Sequence, residues 1–422
     1  MRKQSAGRAA LMDASAWSWR EASFCARTIQ AFLGEHVELR TVGPLVLGDP
    51  HACLLAIDEA LAELRQPPRL AIVYLPHGAA DSPQAACLRE IHAHLHCRTI
   101  GASTGGACFT ERGVIANGLC LGLLCGDDFE VDTALIETLH LAPERKLEQA
   151  VSRLRWREGA QRSLLVLADP FLCDGEDLLS WLRQALGPAT QCFGASAGDN
   201  WRFRTASVIH EAQMFPGAVV LAAISTDFPI VGGTRHGWRE ADQEWMTVTK
   251  AEGTRLLSLN GIPAAEAYRQ ALQRHGLYSA ERELIQQVAM YALGAKTIFS
   301  PELRVRVPLS VLEDGSLVLA TAIREGAEVN IVLASPDSLL KAAAELTHDI
   351  GSQLQAECRG ALAFDCAARF RILGERYREQ SDTLSGAGSH PLLGFASFGE
   401  LSSFHGQLPG FHNTSTVLAC WS

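Results

Sequence analysis

Short, uninterrupted apolar runs alternate along this chain with stretches whose apolar positions recur at helical spacing. Leu70-Ala-Ile-Val-Tyr-Leu75 and Ser163-Leu-Leu-Val-Leu-Ala168 read as strands. Each leads into a helical stretch, a short strand and a glycine turn, Gly101-Ala-Ser-Thr-Gly105 in the first case and Gly194-Ala-Ser-Ala-Gly198 in the second. Both turns begin 31 positions after the start of their strand, and they stand 93 residues apart. That regularity marks an internal duplication. A weaker third copy closes the chain: Gly360-Ala-Leu-Ala-Phe-Asp365, a helical run from Arg369 to about Gln380, the stretch Leu392–Glu400, and a last strand Ser415–Cys420. Its strand-to-glycine distance is 34, and Ala396 stands where the other turns carry serine. The copies share geometry, not a side chain.

Between the copies, Ala142–Arg157 predicts a half-buried surface helix, with Leu147 and Leu154 among charges. Beyond Pro229 the pattern changes. Trp245–Lys250 and Thr254–Leu259 predict a hairpin around Glu252-Gly253, and Pro263–Gln273 a helix with proline in its first turn. Val305–Val311, Leu317–Ala322 and Glu328–Leu333 predict a three-strand meander, with Asp314-Gly315 turning between the first two. Ser338–Gln355 predicts a long helix. The expected class is α/β (α+β): mixed sheets built from repeated strand-helix-strand-glycine-turn-strand units in two domains, not a doubly wound parallel sheet. The boundaries expected are an N-terminal extension 1–30 around Trp17 and Trp19, a first domain 31–235 and a second 236–422.

Composition narrows the setting. A chain of 422 residues, 47% hydrophobic, has room for two or three packed domains. Its net charge of −10 argues against a surface built to hold nucleic-acid phosphates. No stretch approaches the roughly 18 apolar residues of a membrane span. Arg8 and Asp13 interrupt the N-terminus before a secretion signal can form, so the expected location is cytoplasmic. The twelve cysteines show no C-x-x-C and no zinc spacing. Cys120, Cys125, Cys192 and Cys420 lie in apolar strand contexts and read as small buried hydrophobes in a reducing cytosol.

Both serine turns satisfy Gly-X-Ser-X-Gly, the nucleophile elbow of serine hydrolases, in which a strained strand-to-helix turn lifts the hydroxyl out. The segments that follow, Gly106–Thr110 and Trp201–Arg204, read as strand or loop rather than helix. A serine hydrolase using Ser103 or Ser196 is therefore the alternative reading, and a tight turn that only glycine tolerates the simpler one. A third reading has backbone N–H groups binding a small polar ligand with Ser103, Thr104, Ser196 and Asp199. His92-Ala-His-Leu-His96 puts two histidines four residues apart without a useful carboxylate, and reads as a solvated helix end. Gly232-Gly-Thr-Arg-His-Gly-Trp238 stands at the expected domain junction, where ligands favour binding, and makes His236 and Trp238 pocket candidates, the simpler reading being a histidine hydrogen-bonded in an inter-domain strand. Phe404-His405 and Phe411-His-Asn413 are weaker versions of the same signal.

Taken in order, Ile100–Gly106, Phe193–Asp199, Val248–Gly253 with Leu259–Pro263, Arg306–Ser310, Ala327–Ile331, and Gly394–Leu401 with Phe411–Asn413 resemble the FIST proteins, bacterial signal-transduction sensors with paired FIST N and FIST C domains. The resemblance spans about residues 40 to 420. It implies a non-catalytic, ligand-binding sensor, with amino acids as suggested ligands. Some members bind haem and respond to nitric oxide, reporting to histidine kinases or to cyclic-di-GMP cyclases and phosphodiesterases. For this chain the resemblance implies haem b as the possible cofactor, with His236 as its axial ligand.

Overall fold

The structure is a computed structural model that describes residues 37–47, 50–79, 81–139, 141–280, 284, 291–297 and 302–422. The expected extension at 1–30 lies outside them. Val37–Ser422 form one compact unit.

That unit is built from three copies of one motif, each longer than the repeat the sequence displays. The first runs β1 (Glu38–Leu45), α1 (Pro50–Glu63), β2 (Leu70–Leu75), α2 (Pro83–Leu95), β3 (Arg98–Ser103), a hairpin β4 (Ala107–Thr110)–β5 (Gly113–Ala116), and β6 (Leu119–Cys125). The second repeats it as β7 (Phe129–Glu137), α3 (Pro143–Arg153), β8 (Gln161–Ala168), α4 (Gly175–Leu186), β9 (Gln191–Ser196), hairpin β10 (Val208–His210)–β11 (Gln213–Phe215), and β12 (Ala218–Thr226). The third opens with β13 (Val231–Arg235) and is interrupted by an inserted sheet, β14 (Arg239–Glu240) to β22 (Glu328–Leu333), that carries helix α5 (Ala264–Arg274). It resumes with α6 (Pro336–Gly351), β23 (Gly360–Cys366), α7 (Ala367–Leu373), α8 (Tyr377–Leu384), β24 (Leu392–Ser397), hairpin β25 (Glu400–Ser403)–β26 (Gly410–His412), and β27 (Thr416–Trp421).

In every copy the two central strands pair in parallel, β2 with β3, β8 with β9 and β23 with β24, and the closing strand pairs antiparallel beside them. The hairpins are exchanged. That of the second copy extends the sheet of the first, that of the third extends the second, and that of the first extends the third. Three six-stranded mixed sheets result. Backbone bonds seal the exchange in the same cyclic order. Gly198 N–H donates to the Ser103 carbonyl (2.7 Å), Phe398 N–H to that of Ser196 (3.1 Å), and Gly105 N–H to that of Ala396 (2.6 Å). Ala396 is thus the third copy's counterpart of the two serines.

The repeated glycine has a concrete cause. A Cβ on Gly101 would stand 1.9 Å from the Val73 carbonyl oxygen, and one on Gly194 the same distance from that of Val166. No side chain fits where the neighbouring strand's backbone already is. Because helices cover the outer face and the sheets face one another inside, β2 and β23 are buried along their length and β8 from Ser163 onward. Continuous apolar runs are what such strands require. One core cluster draws Ile72, Leu165, Phe193, Phe364, Phe395 and Val417 from all three sheets. Cys120, Cys125, Cys192 and Cys420 are buried in strands as the sequence suggests.

The meander is corrected. Val305–Val311 is two strands, β19 (Arg304–Arg306) and β20 (Pro308–Val311), at opposite ends of the inserted sheet, whose order is β19, β18 (Tyr291–Ala295), β22, β15 (Met246–Glu252), β16 (Arg255–Leu259), β21 (Leu317–Leu319), β20. Pro308, which lacks an N–H, falls at the break, a position proline favours. Only the hairpin of β20 with β21 about Asp314-Gly315 forms as expected. β22 pairs instead with β18 and β15. The run from Arg369 divides into α7 and α8 because Gly374 ends the first helix at φ 54°.

Candidate functional site

The six residues singled out by sequence fall into two groups. Ser103, Thr104, Ser196 and Asp199 meet where the hairpins exchange, all nearly fully buried. Ser103 Oγ donates to the Gly198 carbonyl (2.7 Å) and accepts from Ser207 N–H (2.9 Å). Ser103 is followed by β4, and Ser196 by a loop to β10, so the strand-to-helix turn of a nucleophile elbow is not built at either serine. Asp199 accepts from the N–H groups of Phe203, Arg204 and Thr205 (2.9, 2.7 and 3.1 Å). Those bonds hold a loop in which Asn200, Trp201 and Phe203 take positive φ. The cavity beside Ser196 measures about 30 Å³, the size of a water. His92 and His94 make hydrogen bonds with Thr99 and Asp58, and His96 caps α2 in left-handed geometry, off the helix face. Among the described residues no group of three or more His, Cys, Asp or Glu is arranged to hold a metal.

His236 lies in a different place, in the wall of a cavity of about 570 Å³. That is a volume suited to a small organic molecule. Its walls come from the end of β13, the C-terminal turns of α6, the β25–β26 hairpin and β19 of the inserted sheet. Trp238 sits on the far side of the same chain segment, in a second cavity of about 450 Å³, with its indole N–H buried and unpartnered. A larger groove of about 1010 Å³ around His92 and His96 is open, its arginines crossed by ion pairs such as Arg98–Glu211 and Arg155–Asp132.

Three arginines face the 570 Å³ cavity, and they are not equivalent. Arg235 is held between Glu302 and Asp349, each at 2.8 Å. Arg304 and Arg306 are two apart on one strand, so they share a face. They also share one carboxylate oxygen: Glu176 Oε1 accepts from Arg304 (2.5 Å) and Arg306 (3.0 Å). Burial lowers the pKa of the Arg306 guanidinium from its ordinary value.

The two cavity histidines feel the same field. Burial, then Arg369 and Arg235, pulls His236 down to about 4; burial, then Arg304 and Arg306, pulls His412 down to about 3. Both rings are therefore neutral at physiological pH. His236 Nδ1 accepts from Trp238 N–H (2.9 Å), which places the ring's proton on Nε2. A chain of hydroxyls, Thr234 to Ser402 (2.8 Å) and Ser402 to His412 Nε2 (3.0 Å), lines the opposite wall.

Behind the cavity lies a fully buried ionic cluster. Arg369 donates to Asp365 (2.9 Å), to Gln380 Oε1 (2.8 Å), and to the carbonyls of His236 (2.7 Å) and Leu339 (3.2 Å). Glu400 accepts from Ser397 (2.6 Å) and from Ser415, which itself lines the cavity. Sequence reasoning passed over Arg304 and met Arg306 only as the start of Arg306–Ser310, although an Arg-X-Arg alternation on a strand was the available signal.

Gly410 sets the reach of one of these arginines, since a Cβ there would stand 2.6 Å from Arg304 Nη1. The far end of a long side chain can yield, so Gly410→Ala is expected to cost about 1 kcal/mol or less in stability. It should nonetheless move Arg304 off Glu176, which a crystal structure of the variant would show. An unmoved Arg304 contradicts this reading.

Residues 69–262 match the FIST N domain and residues 264–403 the FIST C domain. No curated protein matches the sequence. Among solved structures, a cyanuric acid hydrolase is similar over 92% of this chain and 100% of its own, at 10% identity and a TM-score of 0.33. A chorismatase is similar over 92% and 99%, at 9% identity and the same TM-score. Likeness at that level carries no argument about chemistry.

Proposed function

The chain belongs to the FIST family, with both its N and C domains, and on that premise we propose that it is a small-ligand sensor in signal transduction whose ligand occupies the 570 Å³ cavity. The observation that carries this reading is the convergence there of two neutral histidines, two arginines and a row of hydroxyls from the third copy and the inserted sheet, with the carboxylate the arginines share coming from the second copy. Such a wall changes geometry when a ligand engages both sides, and a sensor needs only that its ligand favour one of two arrangements. No catalytic step is assigned to it. The partner we carry forward is a histidine kinase or a cyclic-di-GMP cyclase or phosphodiesterase, and the setting cytoplasmic. No helix among the described residues is long and apolar enough to cross a membrane.

Haem does not fit through His236. An imidazole that binds iron through Nε2 leaves Nδ1 as its donor, whereas Nδ1 here accepts the Trp238 N–H. The cavity wall also carries Arg235, Glu302, Arg304, Arg306 and Asp349, where a porphyrin face needs apolar contact. An absorption spectrum of protein supplied with haem is expected to show no Soret band that depends on His236.

The test of the sensor reading is a thermal-shift screen over the proteinogenic amino acids, small organic acids, sugars and amines, run on wild type and His236→Gln. At a hundredfold excess over Kd a ligand adds about 2.7 kcal/mol, a shift of a few degrees. At least one compound is expected to shift the wild type and to lose that shift in the variant. A screen in which nothing shifts the wild type overturns the proposal.

A further inference from the structure

We propose that the sensor's ligand is a small anion, a carboxylate or a phosphate, whose acidic group displaces Glu176 from Arg304 and Arg306, and that this exchange unclasps the inserted sheet from the second copy of the repeat. The inference rests on the cavity being the ligand site.

Arg304, Arg306 and the Nε2–H of His236 are all donors. Guanidinium pairs on a common face match a carboxylate or phosphate in geometry as well as charge. The charge is unevenly balanced around the wall. Arg235 has two carboxylates, while Arg304 and Arg306 divide a single oxygen of Glu176. The nearby Asp174 spends its oxygens on the N–H groups of Glu176 (2.8 Å) and Ala322 (2.7 Å). Glu176 is the side-chain acceptor both guanidiniums share, their other bonds going to the carbonyls of Pro409, Ala322 and Val305, so an anion arriving from the cavity competes with that one carboxylate.

Glu176 is also where the inserted sheet touches the second copy. It stands in the first turn of α4, while both arginines are on β19 and Ala322 follows β21. Asp174 and Glu176 thus form one polar clasp between the two parts. An anion that takes the arginines leaves Glu176 without its partners and loosens that clasp. The ligand event inside the cavity is thereby read outside it, at the N-terminus of α4.

The experiment uses the full chain with sodium acetate and sodium phosphate titrated at constant ionic strength against chloride. Binding is followed by calorimetry, and opening by amide hydrogen exchange at 174–178 and 304–306. One or both anions are expected to bind wild type, to raise exchange in those two segments, and to bind Glu176→Gln about tenfold tighter because the competing carboxylate is gone. Arg304→Gln is expected to lose at least tenfold in affinity. Acetate alone binding identifies a carboxylate ligand, phosphate alone a phosphate. Unchanged or weaker binding in Glu176→Gln, or unchanged exchange in wild type at saturation, overturns the clasp. If neither anion binds while an uncharged compound shifts the wild type in the thermal screen, the anion inference fails and the sensor reading stands. If nothing binds in either assay, both fail.

Discussion

Arg369→Met is expected to lower the unfolding free energy by about 3–5 kcal/mol, the usual cost of breaking a buried ion pair from one side. Arg369 and Asp365 are both fully buried, and Asp365 Oδ2 already lies buried without a hydrogen-bond partner. Removing the guanidinium leaves the Asp365 charge with only the Thr416 hydroxyl as a donor among the described residues, and also empties the bonds to Gln380 and to the carbonyls of His236 and Leu339. The repeat supplies the control. Asp365 occupies the strand position held by Leu75 in the first copy and Ala168 in the second, each paired with the residue two after the turn glycine, Ser103, Ser196 and Ala396 in turn. Asp365→Leu combined with Arg369→Met should therefore recover a substantial part of the loss, since an apolar pair replaces the ionic one. Equilibrium urea denaturation of both variants measures this. A single variant that costs less than about 1 kcal/mol contradicts the account.

A stability that declines from mildly acidic pH to about 8 relative to a Glu400→Gln variant is the second expectation, and its source is Glu400. Burial, only partly offset by the hydroxyls of Ser397 and Ser415, pushes this carboxyl up to about 8, and Asp365 adds repulsion. The unfolded chain releases the same proton near the ordinary glutamate value, about 4.3. Between those values the folded state holds a proton the unfolded state has lost, so stability falls as pH rises and levels off above about 8. The shift corresponds to a few kcal/mol, taken as an order of magnitude. His236 and His412 act in the opposite sense. Their folded values are depressed, so they add stability as pH rises through about 6.5 and are neutral in both states above it. Comparing wild type with Glu400→Gln isolates the carboxyl. Denaturant midpoints from pH 5 to 9 should fall for the wild type relative to the variant, and parallel curves would show that Glu400 ionises normally.

Much of the fold was legible because the repeat is written in backbone requirements. Gly101 and Gly194 cannot carry a side chain against Val73 and Val166, and the apolar strands are continuous because both their faces are covered. The edge strands β1 and β7 and helix α1 went unseen, while α3 and α6 were legible as helices but not as parts of the repeat. β1 is shielded unevenly and reads as a mixture of polar and apolar positions. The inserted sheet misled for a different reason: its strand order departs from chain order, and pairing between distant segments leaves no local trace. The site was half legible. His236 announced itself through its glycine and tryptophan neighbours, but Arg304 and Arg306 acquire meaning only when α4, some 130 residues earlier, brings Glu176 to them.

The exchanged hairpins also set a timetable for synthesis. When the second copy has left the ribosome, β9 still lacks the strand that will cover its edge, because β25 belongs to residues 400–403. The hairpin of the first copy waits longer still for β24. At ~5–20 residues per second, these apolar edges stay open for on the order of ten seconds or more before the last strands emerge. A nascent chain in that condition invites pairing with its neighbours on the same message. Chaperone capture during translation is therefore a demand that the topology itself places on the cell.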